Sequence, residues 1–194
     1  MKNILFIITH IGSGAEYFNS ILNENERIHI YEEIINFDHP SVIDSILSQP
    51  HKTNNNAAVY GTVNYFNKDF SCKSLLKFSK FIYVVREPTE CFNIFYKNEK
   101  NYNLGVLRYY TFRLRRIYEM ATKTPGAILI NYQSLINKKD LTPVKEYLYL
   151  KEDLHYSSDA EEIEVNTPLE YRRYCQDVFE KYLYKLKNLD LKII

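Results

Sequence analysis

Asn3-Ile4-Leu5-Phe6-Ile7-Ile8-Thr9-His10-Ile11-Gly12-Ser13-Gly14-Ala15 is the stretch that decides the fold of this chain. Its apolar run, residues 4–8, is far shorter than the roughly 20 residues a membrane span needs. It also ends in no small-residue cleavage site, so it reads as a buried strand rather than a secretory signal. A strand that is apolar without alternation is covered on both faces, and here a glycine turn and an amphipathic stretch follow at once. Glycines at 12 and 14 permit a tight turn. The helix behind them presents unpaired main-chain N–H groups and a positive dipole end to an anion. The nucleoside-triphosphatase pattern G-x-x-x-x-G-K-[ST] is absent, because no lysine follows Gly14. A glycine turn that merely joins strand to helix has the same appearance, so a second signal is required.

Further along, short β-branched runs alternate with longer amphipathic segments, which predicts an α/β fold: a three-layer, parallel β-sheet of about five strands flanked by helices. The predicted strands are 4–8, 27–31, 58–61, 81–85 and 127–131, and the predicted helices are 15–23, 41–47, 70–78, 89–96, 104–122 and 143–148. A last helix is announced by Thr167-Pro168-Leu169-Glu170, with a hydroxyl cap, a proline at the first helical position and a capping-box glutamate. Tyr171, Tyr174, Cys175, Val178, Phe179, Tyr182, Leu183 and Leu186 then recur at helical spacing as its inward stripe. Residues 52–56 and 157–162 read as polar connectors. At 194 residues the chain fits one domain, 1–194.

Twenty-five Lys+Arg against 24 Asp+Glu leave a net charge of +1, too little field to attract nucleic acid or a membrane surface. Any anion site must be local. Cys72, Cys91 and Cys175 are an odd set without paired spacing, which points to a reducing, cytoplasmic setting. The histidines at 10, 29, 39, 51 and 155 have no ligand-like spacing with them, so no metal site is expected.

The second signal is Phe81-Ile82-Tyr83-Val84-Val85-Arg86-Glu87-Pro88-Thr89-Glu90, an apolar strand that delivers an arginine to the start of a helix. Ligands bind outside the carboxyl ends of parallel strands, and a guanidinium fork suits a phosphate. The competing reading is an ion pair of Arg86 with Glu87 or Glu90.

Taken together these segments resemble the 3'-phosphoadenylyl-sulfate-dependent sulfotransferases, a family with a P-loop-like fold. His10 to Gly14 is similar to that family's 5'-phosphosulfate loop, and Val84 to Glu90 to its 3'-phosphate motif. Ala127-Ile128-Leu129-Ile130-Asn131-Tyr132-Gln133-Ser134-Leu135 is similar to its final strand, and Tyr60-Gly61-Thr62-Val63-Asn64-Tyr65 to a weakened Gly-x-Lys-x-Pro-x-Tyr segment. The resemblance implies 3'-phosphoadenylyl sulfate (PAPS) as cosubstrate, no metal, and transfer of a sulfuryl group to a hydroxyl or amine on a small-molecule or glycan acceptor. It places His10, Ile11, Gly12, Ser13, Gly14 and Ala15 on the 5'-phosphate, and Arg86, with Asn93 and Ile94, on the 3'-phosphate. Glu32 and Glu33, just past the second strand, are the candidate bases, with His10 as the remaining candidate catalytic group.

Three positions depart from the pattern. His10 stands where the family keeps Lys or Arg, Ile94 where it keeps a serine, and Thr62 where it keeps a lysine. Cations from Lys2, Lys68 or the group Arg113, Arg115 and Arg116 are the available substitutes, although a basic run on a helix is ordinarily a solvated face. A noncatalytic sulfotransferase-like binding domain is the alternative reading, and a P-loop nucleoside or nucleotide kinase a third. Arg86→Ala is expected to abolish binding of the bisphosphate and leave the melting temperature of the free protein nearly unchanged; an unfolded variant would make Arg86 structural.

Overall fold

Ile7 and Ile8 point to opposite faces of one strand and both are fully buried, which is why the opening run is apolar without alternation. The computed structural model describes residues 3–10, 12–31, 56–62, 79–95, 104–156, 159 and 169–194. Their elements are β1 (Asn3–Thr9), α1 (Ala15–Asn23), β2 (Ile28–Tyr31), β3 (Asn56–Thr62), β4 (Ser79–Val85) and α2 (Pro88–Phe95). Then follow α3 (Leu104–Ala121), β5 (Ile128–Asn131), α4 (Tyr132–Ile136), α5 (Thr142–Leu148), α6 (Leu169–Lys187) and β6 (Lys192–Ile193).

The strands form one sheet in the order β2-β3-β1-β4-β5-β6, with every neighbouring pair parallel. The sheet therefore has the expected α/β form with one strand more than predicted. β6 is two residues long, too short for any periodicity to show in sequence. Helix α4 was also not predicted; it is five residues long and starts at a cap, where Asn131 Oδ1 accepts the Gln133 N–H at 3.3 Å. Asn56, read as part of a connector, is the first residue of β3 and pairs with Asn3. The predicted helices at 41–47 and 70–78, and the Thr167-Pro168 cap, lie outside the described residues.

Alternation along β1 and β4 divides the core between two faces. Leu5, Ile7, Ile82 and Val84 meet α1 and α5 through Phe18, Ile21, Leu22, Val144 and Leu148. Phe6, Ile8, Phe81, Tyr83 and Val85 meet α3 and α6 through Leu114, Ile117, Phe179, Tyr182 and Leu186. Each fully buried aliphatic or aromatic side chain contributes roughly 1.5 to 3 kcal/mol, so these two faces hold the layers together. The inward stripe of α6 is as expected at Cys175, Phe179, Tyr182 and Leu186, but Tyr174 is 45% exposed and turns its hydroxyl to Thr111 on α3. Its ring lies at the edge of the α3–α6 seam, where one side remains solvated.

Candidate anion-binding site

Strand order fixes where a ligand can enter. β1 and β4 are neighbours, yet the chain leaves β1 toward β2 and β3 and leaves β4 toward β5. The crevice outside two such diverging strand ends is the usual ligand position of an open α/β sheet. The residues that follow those ends are His10 and Arg86, and the Arg86 N–H donates to His10 Nε2 at 3.1 Å. An accepting Nε2 keeps its lone pair, so the imidazole is the neutral tautomer with its proton on Nδ1. Nδ1 lies 3.9 Å from Cys91 Sγ, and the ring meets Tyr110 edge-on at 5.5 Å. His10 is thus a buried tie between the two strand ends.

On the α1 side the glycine turn has the conformation that its sequence requires. Gly12 and Gly14 are left-handed, at φ 75° and 79°, and the Ser13 N–H closes the turn on the His10 carbonyl at 3.1 Å. The Cys91 thiol donates to the Gly12 carbonyl at 3.3 Å, fastening the turn to α2. Gly14 caps α1 without any side-chain hydrogen bond, which leaves the first-turn amides unpaired within the helix. Ser13 is buried, and among the described residues its hydroxyl has no hydrogen-bond partner. Glu16 supplies an exposed carboxylate in the same turn.

Arg86 is only 3% exposed. Its Nε donates to Glu90 Oε2 at 2.5 Å, so Glu90, rather than Glu87, is its partner, one helical turn along α2. Among the described residues the Nη groups make no hydrogen bond. The guanidinium carbon lies 4.0 Å above the Tyr132 ring, and an edge of that ring packs on Gly14, where an added Cβ would clash with Tyr132 Cε2. Turn and guanidinium therefore share one end of the sheet, and an aromatic ring lies between them. The same burial revises the expectation for Arg86→Ala, which removes an ion pair and a stacked side chain and so lowers the melting temperature.

The opposite face of the crevice carries different groups. Glu87 caps α2, with Oε2 accepting the Thr89 N–H at 3.1 Å and its carbonyl accepting the Glu90 N–H at 3.2 Å. Its other oxygen, Oε1, is buried without a partner among the described residues. Burial pushes the Glu87 carboxyl up to about 7, against the opposing effect of the Thr89 bond. Burial likewise raises the Cys91 thiol, which makes it an inert structural cysteine.

His10, Gly12, Ser13, Gly14, Ala15 and Arg86 all lie at this edge. Ile11, Glu32 and Glu33 are outside the described residues. Asn93 and Ile94 fall within α2, but their side chains are outside what the structure describes. Sequence reasoning did not single out Tyr132 or Glu87. The available signal for Tyr132 was its place directly after the last residue of β5, at the same carboxyl edge. For Glu87 it was the caps-then-helix spacing Glu87-Pro88-Thr89-Glu90. The basic run on α3 was read as solvated, and Arg115 and Arg116 do pair with Glu119 at the surface, at 2.8 and 2.9 Å. Arg113 corrects that reading: it is 4% exposed, because its position falls beside Tyr110 and Leu114 on the inward face of α3.

No family model and no curated protein matches the sequence. Among solved structures, the chain is similar to the crystal structure of mouse sulfotransferase SULT7A1 complexed with PAP, with a TM-score of 0.60 at 12% identity over 97% of this chain and 86% of that one. At that identity the similarity is one of fold: an α/β domain of the sulfotransferase, P-loop-like type. No described helix is long and apolar enough to cross a membrane. Among the described residues no group of three or more His, Cys, Asp or Glu side chains is arranged to hold a metal ion.

Proposed function

We propose that the chain is a sulfotransferase-type domain that binds an adenosine 3',5'-bisphosphate unit at the carboxyl ends of β1 and β4 and uses PAPS to sulfate a hydroxyl or amine of a small-molecule or glycan acceptor. One observation carries the reading: Gly14, which starts α1 without a side-chain cap, meets an edge of Tyr132, and the Arg86 guanidinium, whose Nη groups make no hydrogen bond among the described residues, stacks on the face of that same ring at the switch point of the sheet. The site's chemistry fits a phosphorylated ligand, since the buried Ser13 hydroxyl and the first-turn amides are donors in need of an acceptor. When bound, the cosubstrate supplies an activated sulfuryl group whose leaving group is a phosphate.

In this reading the amides from Gly14 onward and the Ser13 hydroxyl hold the 5'-phosphate and stabilise its growing negative charge. Glu90 fixes the Arg86 guanidinium by Nε and leaves the Nη pair to the 3'-phosphate. His10 keeps the two strand ends together and, as a neutral acceptor, supplies no cation. Glu32 or Glu33 takes the acceptor's proton. The neutral His10 also supports a second reading, a noncatalytic domain of the same fold that binds nucleotide or partner without turnover.

Thermal melting of the full chain separates the readings. Adenosine 3',5'-bisphosphate at a hundredfold excess over its Kd is expected to add about 2.7 kcal/mol of stability, with no requirement for Mg²⁺. Arg86→Lys, which keeps the charge and loses the planar fork, should weaken that binding by about tenfold or more. A response to ATP with Mg²⁺ alone points instead to a kinase, and sulfation of acceptors in the presence of PAPS separates the enzyme from the binding domain.

A further inference from the structure

Arg113 sits in the interior of α3 with no counter-ion among the described residues. It is 4% exposed, yet among the described residues Nε and Nη1 have no hydrogen-bond partner. The guanidinium carbon lies 4.8 Å from the Tyr109 ring centroid, so an aromatic face covers one side of the cation. Burial lowers its pKa, and Tyr109, by its charge and by a side-chain hydrogen bond, is the one described neighbour that opposes this. An arginine cannot escape burial by losing its proton at neutral pH, and a desolvated charge without a partner is among the costliest groups a core can hold. The adjacent basic residues do not share this state, since Arg115 and Arg116 are both satisfied by Glu119.

Position supplies the second argument. Tyr110, next to Arg113 on the inward face of α3, packs edge-on against His10 at the end of β1. Arg113 is therefore about one helical turn along α3 from the residue that meets His10, while Arg86 stacks on Tyr132. His10, the residue that leads into the glycine turn, accepts the Arg86 N–H through Nε2 and so brings no positive charge there. A cation is missing from the turn, and an unused one is buried on the helix that faces it.

We infer that Arg113 is an anion-binding residue: Nε and Nη1 of its guanidinium take an oxyanion (a phosphate, sulfate or carboxylate group) on the α3 side of the crevice, separate from the Arg86 site. Two sources share this chemistry, a phosphate of the nucleotide and an anionic group on the acceptor. The inference does not need the nucleotide reading, because inorganic sulfate serves as its probe.

The test uses the full chain and three forms, native, Arg113→Met and Arg86→Lys, melted in millimolar sodium sulfate against sodium chloride at matched ionic strength. The matching removes the general effect of salt. Arg113→Met is expected to be at least as stable as the native chain in chloride, since it replaces an unpaired buried charge by an apolar chain of similar length. It should also bind sulfate about tenfold more weakly, while Arg86→Lys keeps the α3-side response. Loss of stability in chloride together with an undiminished sulfate response would overturn the inference and make Arg113 a structural residue. Adenosine 3',5'-bisphosphate then distinguishes the sources: weaker binding by Arg113→Met assigns the oxyanion to the nucleotide, and unchanged binding assigns it to the acceptor. If the bisphosphate binds none of the three forms, the nucleotide reading fails and the sulfate result still stands.

Discussion

Two arginines, Arg86 and Arg113, are buried in this domain, and they are buried on different terms. On the α1 side, Arg86 has Glu90 on its Nε at 2.5 Å and the Tyr132 ring beneath it. On α3, Arg113 has the Tyr109 ring beside it and, among the described residues, no carboxylate. A paired buried charge is a finished piece of structure that can still lend spare donors to a ligand. An unpaired one is a standing cost, and a fold that keeps it gives a reason to look for the group that offsets it. The contrast separates what holds the crevice together from what it is prepared to bind.

The strongest challenge to this contrast is Gly14→Ala. Its left-handed φ of 79° and the close approach of Tyr132 to an added Cβ combine backbone strain with a steric clash against a buried ring. A loss of about 3 kcal/mol in chemical denaturation is expected, and a loss under about 1 kcal/mol would mean that Tyr132 does not wedge the turn against Arg86. Glu90→Gln tests the paired side more gently. It leaves a 3%-exposed guanidinium without its counter-charge, and since Glu90 itself is partly solvated the expected cost is about 2 kcal/mol. Equal stability of native and variant chains would place the two arginines on the same footing and remove the contrast.

The smallest effect concerns Glu87. Its carboxyl is raised from the ordinary 4.5 to about 7 in the folded chain, so between those values the native state holds a proton that the unfolded state has released. Stability from this group is fully present below about pH 4.5 and declines as pH rises through 7. Glu87→Gln should flatten that part of a stability-against-pH profile measured from pH 4 to 8. A slope that is the same in both chains would show that another group titrates there.

Much of the fold was legible because β1, β4 and β5 are buried on both faces and so must be written in unbroken apolar runs, and because α1, α3 and α6 carry periodic stripes. The glycines at 12 and 14 were legible for a backbone reason, since left-handed turns leave few alternatives. Tyr132 was not legible as part of the site, because its contacts with Gly14 and Arg86 join residues more than forty positions apart. Nor was the difference between Arg113 and its neighbours Arg115 and Arg116.

By itself, then, the sequence determined the layers, the strand ends and the glycine turn, all of which follow from local hydrophobic period and backbone freedom. Tertiary structure alone decided that His10 is a neutral tie, that Arg86 is paired with Glu90 and that Arg113 has no counter-ion among the described residues. Charge pairing depends on which side chains a particular arrangement of strands brings within a few ångströms, and no local pattern encodes that distance.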